Sequence, residues 1–376
     1  MTERSSGFAL AVIATAAGIA MLYFLRAIVI PLILAAVLAV LVNALVRFIE
    51  KNWRSAPQWA AALLAALVVA GLVVATFLVL AEGAANMVKM APALGERIDQ
   101  LVQQVGHALR LRKTLSLETL IGEINVPRIA GTVAGSAGGL LSTLVLMVTY
   151  FGFIVAGRKR TGRKLAILAA ERGDRNSLKA ALTQIESTVE TYLWVQTVTG
   201  IMIGAASWLV MFSLGLENAL FWTVVLFLLC YIPMIGVTVG SVVPALFALL
   251  QFPSWWQAAV IFGGIQAAAT VVGNVIYPRM QAETQNIDPI ATLVSLAFWG
   301  LLWGITGAFL AVPLTLIVMM ICANFPRTRW VAVLLSNDGK PSFPQAPPQR
   351  VRAIEESPAR VGRSRRAPAR GGRKRQ

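Results

Sequence analysis

The sequence predicts an all-α, polytopic membrane protein of about eight membrane segments, two of them broken or re-entrant, with an external amphipathic helical insert. Composition is the first reason. Of 376 residues, 57% are hydrophobic and only 13% charged, and the mean hydropathy is +0.71, more apolar surface than a soluble chain of this length buries. The second is a set of apolar runs of about 18 residues or more, long enough to cross a hydrocarbon core of roughly 30 Å. The third is a pair of apolar stretches too long for one crossing, each interrupted by glycine and proline.

Residues 1–81 hold three predicted transmembrane helices, at 8–25, 27–46 and 57–81. The first run exceeds a usual signal-peptide core and a second span follows almost at once, so it reads as an uncleaved helix. Residues 82–135 form the insert. Within it Ile98, Leu101, Val102, Val105 and Leu109 recur at helical spacing with polar residues between them, which predicts an amphipathic helix, and Leu117 to Ile124 suggest a shorter second one. The insert serves either as a cap over the bundle or as a contact between copies in an expected homo-oligomer.

Residues 136–157 are the fourth transmembrane helix. "GTVAGSAGG" at its start lacks the Gly-Lys-Ser/Thr ending of a phosphate loop, and its glycines fit close helix packing instead. Residues 158–191 read as a cytoplasmic helical segment running into the next span, and residues 192–325 as a transport core. After Ser336 the chain becomes a basic tail rich in Pro, Arg, Ser and Gly, predicted to be disordered over 336–376.

Net charge is +16, from 33 Lys plus Arg against 17 Asp plus Glu. Most of the excess sits in "RFIEKNWR", "GRKRTGRK" and the segment from Arg327 onward. Basic loops collect on the cytoplasmic side, which places both termini inside and the insert outside in a bacterial inner membrane. The tail has ten basic residues from Arg350 to Arg375 but neither aromatic interleaving nor a folded module. Attraction to anionic inner-leaflet lipid is therefore expected, and no nucleic acid. Cys230 and Cys322 both fall in apolar runs, without the spacing of a metal site or a disulfide framework. No metal or cofactor is expected.

The two long stretches are residues 218–250 and 290–322. Each would be about 50 Å as one helix, too long for a single crossing. The first is broken around Pro233 and Gly236, with Gly240 following; the second is broken in "WGITG" at Gly304 and Gly307. "GSVVPALFALL" and "GAFLAVPLTLI" read alike when Pro244 and Pro313 are matched. Matched interruptions of this kind point to a transporter's substrate site, since the breaks release backbone groups that lipid cannot satisfy. Each stretch is either a kinked span or a re-entrant hairpin. The uncharged "QFPSWWQ" against the Arg279-bearing "YPRMQAETQNID" favours paired hairpins mildly.

"IVIPLILAAVLAVLVNALVRFIE", "CYIPMIGVTVGSVVPALFALL" and the run from "NVIYPRMQAETQNIDPIATL" to "GAFLAVPLTLIVMMI", in this order and around a long insert, resemble the AI-2E family of bacterial transporters. The resemblance covers roughly residues 8–325. It implies a bundle of about eight helices that exports a small signal molecule or, in some members, exchanges cations for protons. The chain departs from the family pattern at Ala156, Gly157 and Arg158, and at Asp288, where histidine is common.

Three function classes compete. An enzyme lacks support, because no metal-binding helix motif and no nucleophile elbow occur; His107, the only histidine, falls in the amphipathic insert. A cation/proton antiporter needs an ionisable group within the membrane, and only Glu283 and Asp288, in a connection that would have to fold inward, offer one. Secondary or facilitated export of a small polar solute asks less. Gln266 and Asn274 supply amides on apolar helices, with Asn274 expected to be buried, and Pro233, Gly236, Gly240, Gly304 and Gly307 are the expected substrate-binding breaks, facing one another across the site.

Overall fold

The computed structural model describes residues 2–53, 57–108, 142–157, 175–281 and 286–339, together with residues 160, 164 and 167. Among them the regular structure is helical, with one isolated β-bridge between Ile287 and Ser336. Helices α1 (Thr2–Phe24) and α2 (Arg26–Asn52) are followed by α3 (Gln58–Ala108). After the undescribed stretch come α4 (Ser142–Gly157) and α5 (Arg175–Ser213). Five described helical segments are long and apolar enough to cross a membrane: Arg26–Asn52, Trp59–Met90, Thr183–Ser213, Trp256–Met280 and Ile305–Asn324.

Of two helix boundaries, one differs from the sequence expectation. The third span does not end near residue 81. Helix α3 runs 51 residues through Pro92 to Ala108, so the amphipathic stretch from Ile98 continues the membrane helix. Its second half reaches across the chain: the Asn86 amide donates to Asn218 Oδ1 at 3.2 Å, and the Arg97 guanidinium donates to the Pro253 carbonyl at 3.4 Å. The Leu117–Ile124 stretch, "GTVAGSAGG" and the basic tail lie outside the described residues. At the other boundary, α5 enters its span with no break over 39 residues.

The long apolar stretch at 218–250 folds as a hairpin. Its arms are α6 (Ala219–Leu229) and α7 (Gly236–Gln251), joined by Cys230–Ile235. At 1.5 Å per residue they measure about 16 and 24 Å, each short of a full crossing. Contacts between the arms run antiparallel from base to tip. The Gln251 amide donates to the Gly215 carbonyl at 2.9 Å and its Oε1 accepts from the Glu217 N–H at 2.8 Å; Trp222 packs on Phe247 with ring centroids 5.5 Å apart; Leu226 meets Gly240 and Leu229 meets Gly236. A kinked span would place Glu217 and Gln251 at opposite ends, so this stretch is re-entrant.

The second long stretch folds the same way. Its arms are α10 (Pro289–Trp303) and α11 (Ile305–Asn324), with Gly304 as the whole turn. Trp299 Nε1 donates to Thr315 Oγ1 at 3.2 Å across the pair. Between the hairpins lie α8 (Trp256–Val271), a π-helical turn (Val272–Ile276) and α9 (Tyr277–Gln281). The first hairpin's base adjoins the start of α8 and the second's follows the end of α9. The hairpins therefore enter from opposite ends of one membrane-length segment. A short helix, α12 (Arg329–Leu335), closes the described chain.

Glycine closes both hairpins. A Cβ on Gly236 would stand 1.7 Å from the Leu229 carbonyl oxygen, and one on Gly307 would stand 1.8 Å from that of Trp299. Any side chain there would push the arms apart. Gly304 answers a different need, with φ 67° and ψ −143°, a conformation that a Cβ strongly disfavours. Two packed clusters result. One joins α10 and α11 to α5 and Tyr231; the other joins α6, α7, α8 and the C-terminal half of α5 around Met211, Leu226, Ile261 and Ile265. Lipid is as apolar as these side chains, so close dispersion contact between small and large residues, more than exclusion of water, holds such clusters.

Candidate solute site at the first hairpin tip

The break at 230–235 leaves main-chain carbonyls without helical partners, and α5 supplies them. Tyr192, Gln196, Thr199 and Ile203 recur at i, i+4, i+7 and i+11, which puts all four on one stripe of that helix. The Gln196 amide donates to the Cys230 carbonyl in a short hydrogen bond, and the Tyr192 hydroxyl donates to the Tyr231 carbonyl at 3.4 Å. The Tyr231 hydroxyl lies 2.7 Å from Thr197 Oγ1, and its ring packs on Phe309 at 4.6 Å. Cys230 and Tyr231, at the start of the six-residue tip, are thus fixed by side chains 34 to 39 positions away. In a low-dielectric setting each such bond counts for more than it would in water.

Beside the tip is a cavity of about 590 Å³. The α5 stripe forms one wall. Cys230, Ile232, Pro233, Met234 and Val237 form the second. The π-helical turn contributes Val272 and Gly273, followed by Tyr277, and the base of the second hairpin contributes Ile287, Pro289 and Thr292, with Val312 from its other arm. An extra residue in a helical turn widens the backbone locally and recurs at functional sites. The polar side chains of the lining are hydroxyls and one amide, from Tyr192, Gln196, Thr199, Tyr277 and Thr292; among the described residues no carboxylate, ammonium or guanidinium lines it.

Two features give the tip its character. Met234 has φ 62°, the left-handed region in which a side chain is strained. The N–H groups of Met234, Val237 and Thr238 have no backbone acceptor among the described residues. Those of Val237 and Thr238 are unpaired donors of the kind every helix start leaves, and Met234 and Val237 line the cavity.

The residues expected from the sequence are distributed unevenly around this site. Pro233 lines the cavity. Gly236 and Gly240 stand just behind it, in contact with Leu229 and Leu226 of the opposite arm. Gln266 accepts a hydrogen bond from Ser241 at 3.4 Å and so ties α8 to α7. Asn274 lies in the π-helical turn with an exposed side chain, against the burial that the sequence predicts; the buried residue of that turn is Val272. Gly304 and Gly307 are not among the residues that line the cavity. Their end of the second hairpin adjoins the end of α1, where Trp303 Nε1 donates to the Leu22 carbonyl at 3.1 Å, and the first tip packs lower on that hairpin, at Phe309 and Val312.

Of the two carboxylates considered for ion coupling, Glu283 lies outside the described residues. Asp288 caps α10: its Oδ1 accepts from the N–H groups of Ile290 and Ala291 at 2.8 and 3.1 Å, with Pro289 at the first helical position. This is an N-terminal capping arrangement. The residues that sequence reasoning left out of the site are Tyr192, Thr199, Tyr277 and Thr292, whose signal was the polar stripe on otherwise apolar helices.

Comparison with known proteins bears on this geometry. A family model described as AI-2E family transporter matches residues 12–327. The chain belongs to that family. Among its relatives, the "AI-2 transport protein TqsA" of Escherichia coli strain K12 is 26% identical over 323 residues, covering 84% of this chain and 92% of that protein. A Haemophilus influenzae protein named "Putative transport protein" is 25% identical over 322 residues, covering 82% and 90%. The E. coli "Putative transport protein YhhT" is 26% identical over 295 residues, covering 77% and 82%. This AI-2E family chain is accordingly a multi-pass membrane transporter.

Proposed function

We propose that the protein exports a small, uncharged, polar solute of the signal-molecule class across the bacterial inner membrane, by secondary or facilitated transport, and that the solute binds in the cavity at the first hairpin tip. The observation that carries this reading is the lining: hydroxyls, one amide and free main-chain donors over an apolar floor, with no charged side chain among the described residues. Such a surface hydrogen-bonds a neutral polar molecule and offers a bare ion no counter-charge. A volume of about 590 Å³ holds a molecule of several heavy atoms with room for water. The name of the E. coli relative supports autoinducer-2 as the first solute to test.

Cation/proton antiport fits the site less well. Asp288, its candidate carrier among the described residues, is already engaged as the cap of α10, accepting from two main-chain N–H groups. Topology follows the basic loops: both termini are cytoplasmic, the far half of α3 is external, and the first hairpin enters from outside while the second enters from inside. The tail adds attraction to anionic inner-leaflet lipid, and several copies assemble in the membrane.

The test is uptake of autoinducer-2 into inside-out vesicles bearing the protein, with and without imposed proton or sodium gradients. Saturable uptake that vesicles with a Gln196→Leu protein lack is the expected result. Gradient-driven cation exchange without movement of autoinducer-2 or other neutral polar solutes would overturn the reading.

A further inference from the structure

Helix α12 carries its apolar stripe on the outside. Ala332 is fully buried against the second hairpin, while Trp330 and Leu334 on the opposite side are 64% and 68% exposed, with Val333 beside them. Positions 330, 333 and 334 form one helical face. Arg327 and Arg329 flank it, both exposed, and neither has an acidic partner among the described residues. Only residues 325–328 separate the helix from Asn324, the end of membrane-length α11. The Thr328 hydroxyl fixes that corner by donating to the Cys322 carbonyl at 3.1 Å.

An outward apolar stripe bordered by unpaired guanidinium groups, at the end of a membrane-spanning helix, matches one environment: the interface of a bilayer with anionic headgroups. We propose that α12 is a lipid-binding element, with Trp330 and Leu334 seated at the acyl boundary and Arg327 and Arg329 against the phosphates of anionic lipid. The site is distinct from the basic tail, being built on a folded helix with its own apolar anchor.

The element is also bonded to the transport core. Ile287 and Ser336 form an antiparallel bridge, the Asp288 N–H donates to the Leu335 carbonyl at 3.0 Å, and the Asn286 amide donates to Asp338 at 2.6 Å. Ile287 and Pro289 line the cavity. Lipid bound at α12 therefore steadies the strip that forms one cavity wall, and anionic lipid should raise transport as well as bind.

The experiment uses the full chain with Trp330→Cys, labelled with a bimane fluorophore and reconstituted into phosphatidylcholine vesicles containing phosphatidylglycerol and nitroxide-bearing lipid. Unsubstituted protein carried through the same labelling gives the blank for Cys230 and Cys322. Strong quenching by a nitroxide placed just below the headgroup is expected, and no quenching at any depth would overturn the proposal, whether water or a second copy of the chain covers the helix. In parallel, Arg327→Gln/Arg329→Gln should weaken the preference for phosphatidylglycerol over phosphatidylcholine by roughly fivefold per arginine. The tail is present in both proteins, so an unchanged preference would equally contradict it. Neither readout involves solute, so failure here is distinguishable from failure of the transport reading.

Discussion

The two hairpins begin from similar sequences and end with different tips. The first turns through Cys230–Ile235, an open loop whose carbonyls are held by Gln196 and Tyr192 of another helix. The second turns at Gly304 alone, and the flanking Leu301 and Ile305 are 87% and 81% exposed. A glycine-proline break in a membrane segment therefore has two outcomes. A loop several residues long frees backbone groups and needs partners, so it belongs where the protein can supply them or where solute can. A one-residue turn keeps its own groups paired: the Gly304 N–H donates to the Gly300 carbonyl and its carbonyl accepts from Ala308, and only the donors common to any helix start, Ile305 to Gly307, lack a backbone acceptor among the described residues.

The sharpest way to break this comparison is to attack what the hairpins share. Gly236→Leu and Gly307→Leu each place a side chain against a main-chain carbonyl that a Cβ alone would approach within 2 Å. Both should cost about 3 kcal/mol or more and lose folded protein, read as the monodisperse fraction in detergent and its thermal midpoint. Equal, mild effects on both would mean the arms separate easily.

A smaller effect separates the tips. Gln196→Leu leaves the Cys230 carbonyl without its donor, which should cost about 1–3 kcal/mol and lower transport at least tenfold in protein that still folds. Gly304→Ala strains the second tip by about 1–3 kcal/mol but meets no atom within 4 Å, so the midpoint should fall while solute flux stays near the starting value. Transport loss in the second variant and not the first would invert the assignment.

Next in size, Asp288→Ala should remove about 1 kcal/mol of capping and lower the thermal midpoint slightly, while the ion dependence of transport does not change. An altered proton or sodium dependence would restore Asp288 as a carrier. The smallest effect is Met234→Gly, which relieves a left-handed backbone and should stabilise the protein by up to about 1 kcal/mol, readable as a small rise in midpoint.

The breaks themselves were legible in the sequence, because glycine and proline interrupt an apolar run wherever the chain must turn. Their form was not, since a kink and a hairpin share the same local residues. What distinguishes them is Gln251 reaching Gly215 and Glu217, 36 and 34 positions away. Gly236 and Gly307 read as solute-facing from the sequence because their smallness is visible there and their neighbours are not; a Cβ on either would meet a carbonyl of its own hairpin. Asp288-Pro289 had the plain signature of a helix start. An acidic residue in a membrane protein also invites a coupling role, and only the distances to Ile290 and Ala291 separate the two. The polar stripe on α5 was present at helical spacing, yet what it partners lies across the fold, where no local pattern reaches.

The most direct test of the central claim compares a tryptophan placed at each tip. Val237→Trp fills the cavity beside the first tip, whereas Ile305→Trp adds the same bulk to the exposed side of the second. Solute uptake by vesicles carrying equal amounts of correctly folded protein should be abolished by the first and nearly unchanged by the second. Uptake that survives Val237→Trp and is lost in Ile305→Trp would place the solute path at the second hairpin and contradict the account.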